Sequence, residues 1–461
     1  MKKIFLLVSL LFAIANAYQY NIYDINGKKI GTYKEKINKA QLKNFVKQYH
    51  SSILVKKGTS QEFKTLENKN LAQVKQVDKN FELNSFFSDN EDWIEVEKNE
   101  IIKICLDNLI SVWETPLNSS IINDSCITIQ MPMFVGVESL NVYSPNVDSS
   151  RKINFAISLK YLDLKNEEVL LGYNTGNKGI RVTTKKRSYI AKEPDPERTL
   201  SITAKYLVDK YPITNCEILQ LMWDSIPNNP TIKDSSYYNN EVIKKWSNRK
   251  KTNLHNGFCP VHDTAANTFS LYQAMRYANA RSIREGLKPY YTFSDTQTDS
   301  VQIISKGQYI ISYYDHSKHN NGFIQVSVDS SSDGYRLPYY DEWMMFARGG
   351  DLTKHAPWGN FSDSFEEVSK HAKFDNKKNY GESELVGQLQ PNRYGLYDFL
   401  GLVEEHVLFE QTNPFNYYNG SPSCFKGGSI HSNWKKVNYG YTSANYYSAN
   451  LGGFRLIRKL K

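Results

Sequence analysis

The sequence predicts an α+β chain in two parts, a small α+β domain over residues 18–145 and a larger domain over residues 150–461. Three observations carry this reading. The chain has 461 residues, more than one hydrophobic core ordinarily serves. Its first part opens with a hairpin pattern followed by an apolar stripe at helical spacing. Its second part holds two helical stripes, near 271–286 and 340–348, in chain that is otherwise rich in turns.

Lys2-Lys3 precede the apolar run Ile4 to Ala15, and Ala15-Asn16-Ala17 has the small-x-small form of a signal-peptidase site. Residues 1–17 therefore read as a secretory leader, too short for a membrane anchor, with Tyr18 starting the mature chain. No cysteine follows the cleavage site, so lipid attachment is not expected. No later run approaches the roughly 20 apolar residues of a spanning helix. A secreted or periplasmic protein follows, with no transmembrane segment.

Tyr18 to Tyr23 alternates polar and apolar residues, Asn26-Gly27 supplies a type I′ turn, and Ile30 to Tyr33 returns as the second strand. Leu42, Phe45, Val46 and Tyr49 share one helical face, with Asn38 as a candidate cap. Strand-like runs surround Ile127 to Val137, and polar Ser144-Pro145-Asn146 to Ser150 is the best linker candidate. Beyond it, Val169-Leu170-Leu171-Gly172 reads as a strand ending on glycine. Leu271, Met275 and Ala278 define a helix ending near Gly286. Trp343, Phe346 and Ala347 define another, from about Tyr340 to Arg348.

Lys and Arg number 57 against 48 Asp and Glu, and the formal charge of +9 falls to about +7 once Lys2 and Lys3 leave with the leader. The excess is spread along the chain. Nucleic-acid surfaces cluster their basic residues, so no nucleic-acid partner is expected. The 32 Tyr read as AT-rich codon usage or as carbohydrate-facing surface. Of five cysteines, Cys105 and Cys126 lie in the first domain and are predicted to pair in an oxidising compartment. None forms a C-x-x-C, and an odd count leaves at least one thiol over.

The most specific stretch is Gly334-Tyr335-Arg336-Leu337-Pro338, continuing to Glu342-Trp343 and Ala347-Arg348-Gly349-Gly350. In order after it come Pro357-Trp358-Gly359-Asn360, Asn392-Arg393-Tyr394-Gly395-Leu396-Tyr397-Asp398, Lys426-Gly427-Gly428-Ser429 and Gly453-Phe454-Arg455. Upstream stand Tyr211-Pro212-Ile213-Thr214-Asn215 and Cys259-Pro260-Val261. This series resembles the formylglycine-generating enzyme (sulfatase-modifying factor) family over roughly residues 150–461. The resemblance implies a C-type-lectin-like variant with two main helices, a few short sheets and much irregular chain. Relatives in gliding-motility and secretion machinery imply a place at a bacterial cell surface.

Enzymes of that family oxidise a sulfatase-peptide cysteine with oxygen and a copper ion held by two cysteines. Thiolates suit Cu(I) because both are soft. The corresponding positions here are Ser432 and Val437, so no copper is expected. The family's R-S-A-x-R becomes Asn438-Tyr439-Gly440-Tyr441-Thr442, without either arginine. The candidate groove comprises Ser429, His431, Ser432, Trp434, Tyr439 and Tyr441; its rings suit sugar faces or peptide side chains, or simply pack the core. His431 beside Ser429 and Ser432 is a weak nucleophile arrangement, with no visible acid to orient the histidine.

The resemblance also implies calcium. Asp398 and Glu405 fall on its carboxamide/carboxylate and glutamate positions, and Gly401 and Val403 on its carbonyl positions. Hard oxygen ligands on a curled loop suit Ca²⁺. Leu402, Glu404 and His406 depart from the pattern, the last two replacing tryptophans. A second family calcium site fares worse, because Lys373 stands where an asparagine ligand is expected. Arg336 and Glu342 read as a buried structural pair. The expected function is that of a pseudoenzyme: a non-catalytic binding or structural module with a protein, peptide or glycan partner outside the cytoplasm. The alternative is a divergent formylglycine-generating oxidase, or another enzyme acting on secreted proteins.

Overall fold

A computed structural model describes residues 8–9, 19–24, 29–33, 52–57, 77–83, 92–106, 112–123, 125–143, 150–172, 181–183, 188–190, 198–223, 259–267, 269–295, 302–305, 308–315, 320–350, 365–375, 384–409, 422–433, 437, 439, 442–443 and 452–460. The chain divides into two compact units, the first comprising Met1–Met133 and Val137–Ile157, the second Phe134–Gly136 and Ser158–Lys461.

In the first unit, Gln19–Asp24 and Lys29–Tyr33 form the antiparallel hairpin that the Asn26-Gly27 turn predicts, with Tyr20 opposite Tyr33. Ser52–Lys57 pairs antiparallel with the other edge of Gln19–Asp24. Two four-stranded sheets follow. One runs in the order Lys79–Leu83, Ile101–Leu106, Cys126–Gln130, Asn118–Asn123. The other runs Asp92–Val96, Ser150–Ile157, Gly136–Tyr143, Val112–Glu114. Period-two alternation puts Ile102, Ile104 and Leu106 inside, where they join Ile94, Val96, Leu140, Val142, Ile153, Phe155 and Ile157 in one core. Cys105 and Cys126 are directly opposite in register and form a disulfide.

Among the described residues this unit consists of strands. The helix expected at residues 42–49 and the linker residues 144–149 lie outside the described residues. The unit extends past the boundary expected at residue 150. Ser150–Ile157 pairs in parallel with Asp92–Val96 and buries Ile153, Phe155 and Ile157, so cutting before it would open the core.

The second unit contains helices α1 (Asn215–Trp223), α2 (Leu271–Arg284), α3 (Tyr340–Arg348) and the short α4 (Phe365–Ser369). Ser270 caps α2 in a reciprocal box with Gln273. At α3 the Glu342 carboxylate accepts from Tyr339 N at 2.9 Å. α2 and α3 occupy the spans their stripes predict. α1 was not foreseen, although Thr214-x-x-Glu217 is a capping box: Glu217 N donates to Thr214 Oγ1 and Thr214 N to the Glu217 carboxylate.

Short sheets and irregular chain make up the remainder. Lys205–Asp209 lies between Leu159–Asp163 and the last strand, Ile457–Leu460, so the end of the unit pairs with its beginning. Glu167–Leu171 pairs with Arg198–Ile202. Glu404–Leu408 lies between Ser423–Lys426 and Gly452–Gly453, with Glu405 opposite Lys426. Trp343, Phe346 and Ala347 of α3 pack with Val169, Tyr206, Val208, Phe399, Val407 and Ile457. Arg336, which is buried, and Glu342, which is partly buried, form the expected pair as a bidentate bridge at 2.6 and 2.7 Å. No helix among the described residues is long and apolar enough to cross a membrane.

Candidate functional site

Two tight turns meet beside α3. The first runs from Leu396 to Glu405. Leu396, Phe399 and Leu400 anchor it in the core, while Asp398, Gly401 and Leu402 take left-handed backbone conformations that curl it. Gly401 is demanded by contact as well as by φ, since a Cβ there would come within 2.2 Å of the Lys373 carbonyl oxygen. The second turn, Lys426 to Ser432, docks on the first: Gly401 N donates to Gly427 O and Ile430 N to Leu402 O, each at 3.0 Å. A Cβ on Gly427 would lie 2.3 Å from Phe399 O, so this glycine permits the close approach.

Glu405 is fully buried. Its Oε1 accepts from Arg455 Nε and Nη2 at 2.9 and 2.7 Å, and its Oε2 accepts from Trp343 Nε1 at 2.8 Å. Arg455 in turn lies over the Phe399 ring, 3.5 Å from its centroid. Asp398 Oδ2 accepts from Gly387 N at 2.6 Å, and burial pushes the Asp398 carboxyl up to about 6. Beside Glu405, His406 replaces the second tryptophan of the motif. Its Nε2 meets the Phe269 carbonyl at 2.8 Å, its Nδ1 lacks a hydrogen-bond partner among the described residues, and its ring lies 4.2 Å from that of Phe425. Burial holds the imidazole down to about 4.

The donors of this loop fit calcium in kind: a desolvated carboxylate at Asp398, the carbonyls of Gly401 and Val403, and Glu405. Among the described residues, no three His, Cys, Asp or Glu side chains gather as a metal group. The loop would therefore depend on backbone oxygens, and on a Glu405 carboxylate already gripped by Arg455. Bound calcium would cross-link the curled backbone to the strand that carries Glu405.

Of the candidate groove residues, Ser429, His431, Ser432 and Tyr439 lie among the described residues. Ser429 and Ser432 close the second turn on themselves: Ser429 N donates to Ser432 Oγ at 2.9 Å and Ser432 N to Ser429 O at 2.8 Å. Both are buried, and His431 between them is half-exposed. Tyr439 does not line a groove. It is buried in the core that α3 organises, its carbonyl accepts from the Lys426 ammonium, and Arg348 lies over its ring. Trp434 and Tyr441 lie outside the described residues. Val437 is buried in the same core.

The cysteines are disposed in a way only partly visible in the sequence. Cys216, in the first turn of α1, is bonded to Cys259. Cys424 is the free thiol, buried in the core, and burial pushes it up to about 12. The Ser432 and Val437 positions thus hold a hydroxyl and an isopropyl group, while two of the three other cysteines in this unit are joined to each other.

Residues 169–460 match the family described as the sulfatase-modifying factor enzyme 1-like domain. The chain belongs to this family. Over 204 residues it is 29% identical to a protein of Paenibacillus barcinonensis described as chaperone protein LppX, covering 41% of this chain and 67% of that one. Among solved structures it is similar to Treponema denticola variable protein 1, at 18% identity and TM-score 0.40, over 70% of this chain and 98% of that one. It is also similar to PvdO from Pseudomonas aeruginosa, at 14% identity and TM-score 0.37, over 66% of this chain and 94% of that one. As a member of this family, the chain carries the Arg336–Glu342 and Arg455–Glu405 pairs on the family motifs.

Proposed function

We propose that this chain is an extracytoplasmic, non-catalytic member of its family, a binding module for a protein or peptide partner. The observation that carries this reading is the pair Ser432 and Val437. The first is hydrogen-bonded within a closed turn and the second is packed in the core, where the family's oxidases need two thiolates. Two disulfides support an oxidising, non-cytoplasmic compartment. A relative described as a chaperone supports a protein partner over a glycan.

The surface beside the second turn suits a partner. Asp375 N donates to Ser432 O, tying the turn to the segment that carries Phe374. Phe365 is 54% exposed, with its ring edge-on to Phe374 at 5.1 Å. A half-exposed phenylalanine next to a polar turn is a usable anchor. A structural calcium at Asp398, Gly401, Val403 and Glu405 would stiffen the adjoining loop.

The test places a photo-crosslinking residue at His431, at Phe365 or, as a control, at Lys165, in the protein secreted from its own cells. Adducts of one defined mass from His431 and Phe365, absent from Lys165, support the reading. Adducts equal at all three positions refute it. Conversion of a sulfatase-type cysteine peptide by the purified protein would replace it with the enzyme.

A further inference from the structure

Lys373 stands where three segments meet. Its backbone runs in parallel register with Gly401, and its carbonyl accepts from Leu402 N at 2.9 Å. From this fixed position the side chain reaches Glu384, with Nζ 2.9 Å from Oε2. Glu384 is fixed too: its carbonyl accepts from Ala265 N at 3.0 Å, and Leu385 bridges to Thr264. One cation therefore reaches the carboxylate of Glu384 while its own backbone pins 372–375 to Gly401.

We propose that the Lys373 ammonium is a built-in cation that stands in place of a metal ion at this junction, holding residues 372–375 to residues 384–387 through Glu384 without an ion from solution. The family's second calcium requires an oxygen ligand at this position. An ammonium supplies three donors and no lone pair, so it cannot ligate, and its charge repels an approaching divalent ion. A metal site and a lysine–carboxylate pair solve the same problem, tying a carboxylate on one loop to the loop beside it. The lysine solves it at all calcium concentrations. Its side chain is 31% exposed and that of Glu384 38% exposed, so the pair is a modest clamp. The inference concerns the Lys373–Glu384 pair.

The experiment compares the full chain with Lys373→Asn and Lys373→Met, by equilibrium dialysis against calcium and by thermal melting with and without chelator. Lys373→Asn removes the charge and supplies an oxygen, so it binds one calcium more per chain than the wild type. In chelator both variants melt lower, by about 1–3 °C for a pair of this exposure. Calcium restores the asparagine variant by more than it shifts the wild type, and does not restore the methionine variant in that way. Equal calcium stoichiometry in wild type and Lys373→Asn overturns the proposal, as does identical melting of all three proteins in chelator. Should Lys373→Asn not fold, a cycle of Lys373→Met, Glu384→Met and the double variant decides. Losses that fail to add support the clamp, and strictly additive losses overturn it.

Discussion

Arg455 holds Glu405 through two nitrogens, at 2.7 and 2.9 Å from one carboxylate oxygen, with both side chains fully buried. Trp343 of α3 donates to the other oxygen. Three distant motifs, the Glu342-Trp343 helix, the Asp398–Glu405 loop and the Gly453-Phe454-Arg455 end, thereby close on one carboxylate. Arg455 also donates to the carbonyls of Asp209 and Tyr397, so one guanidinium ties the segment before the last strand to Asp209 and to the curled loop.

Removing Arg455 should therefore be severe. A buried charge left without its partner costs about 3–5 kcal/mol. Arg455→Met is expected to lose stability of that order in urea unfolding, while Arg455→Met with Glu405→Leu loses less than the sum of the single changes. Strict additivity, or a loss below about 1 kcal/mol for Arg455→Met, would show that the pair is not the keystone its geometry indicates.

Calcium at the loop makes a second prediction. Binding to the native state adds RT ln(1 + [L]/Kd), about 2.7 kcal/mol at 100 times Kd. Chelation should lower the melting temperature. Asp398→Ala should abolish that response, and Asp398→Asn, which keeps an oxygen ligand, should retain it. Glu405 is unsuitable for this test because its loss strands Arg455. Identical melting curves with and without chelator would leave the loop held by its hydrogen bonds alone.

His406 gives a pH prediction. Its folded value, about 4, lies below the roughly 6.5 of an unfolded histidine, because burial penalises the imidazolium. Below pH 6.5 the unfolded chain takes up a proton that the folded chain refuses. The stability contributed by the neutral imidazole is thus fully present above about pH 6.5 and is lost as pH falls towards about 4. His406→Phe, measured beside the wild type in chelator, should show a shallower fall in urea midpoint between pH 6.5 and 4. Parallel profiles would mean that His406 titrates normally.

The sequence was legible where the structure is local. Trp343, Phe346 and Ala347 repeat at the helical period, and α3 covers the span they mark. Cys105 and Cys126 shared a small domain, and a two-strand register suffices to join them. Long-range choices were less accessible. Cys216, Cys259 and Cys424 allow three pairings, and the fold selects one by placing Cys424 on the Ser423–Lys426 strand, opposite Val407. Tyr439 has the same chemistry for a groove as for a core, and only its packing against the α3 layer assigns it to the core. Arg455 and Glu405 lie fifty residues apart, beyond any periodic signal. The Thr214–Glu217 cap was readable, but α1 is nine residues long and presents a short stripe.

The last prediction concerns chemistry. Purified protein supplied with copper and oxygen should leave a sulfatase-type cysteine peptide unconverted. Oxygen activation in this family depends on two thiolates that hold a soft metal, and a hydroxyl at Ser432 with an isopropyl group at Val437 supplies neither. Other cysteines offer little substitution. Cys216 and Cys259 are bonded to each other, and the Cys424 thiol is buried, with burial pushing it up to about 12, so at neutral pH almost none is thiolate. The assay is a peptide mass shift under copper-loaded aerobic conditions, run on the wild type, on Cys424→Ala and after mild reduction. Reduction opens a further route, in which the cysteines of the two disulfides are released as thiols. Turnover by the oxidised wild type that disappears in Cys424→Ala would make Cys424 a metal ligand and the chain an oxidase. Turnover appearing only after reduction would assign the ligands to cysteines of the disulfides, and silence in all three is the expected outcome.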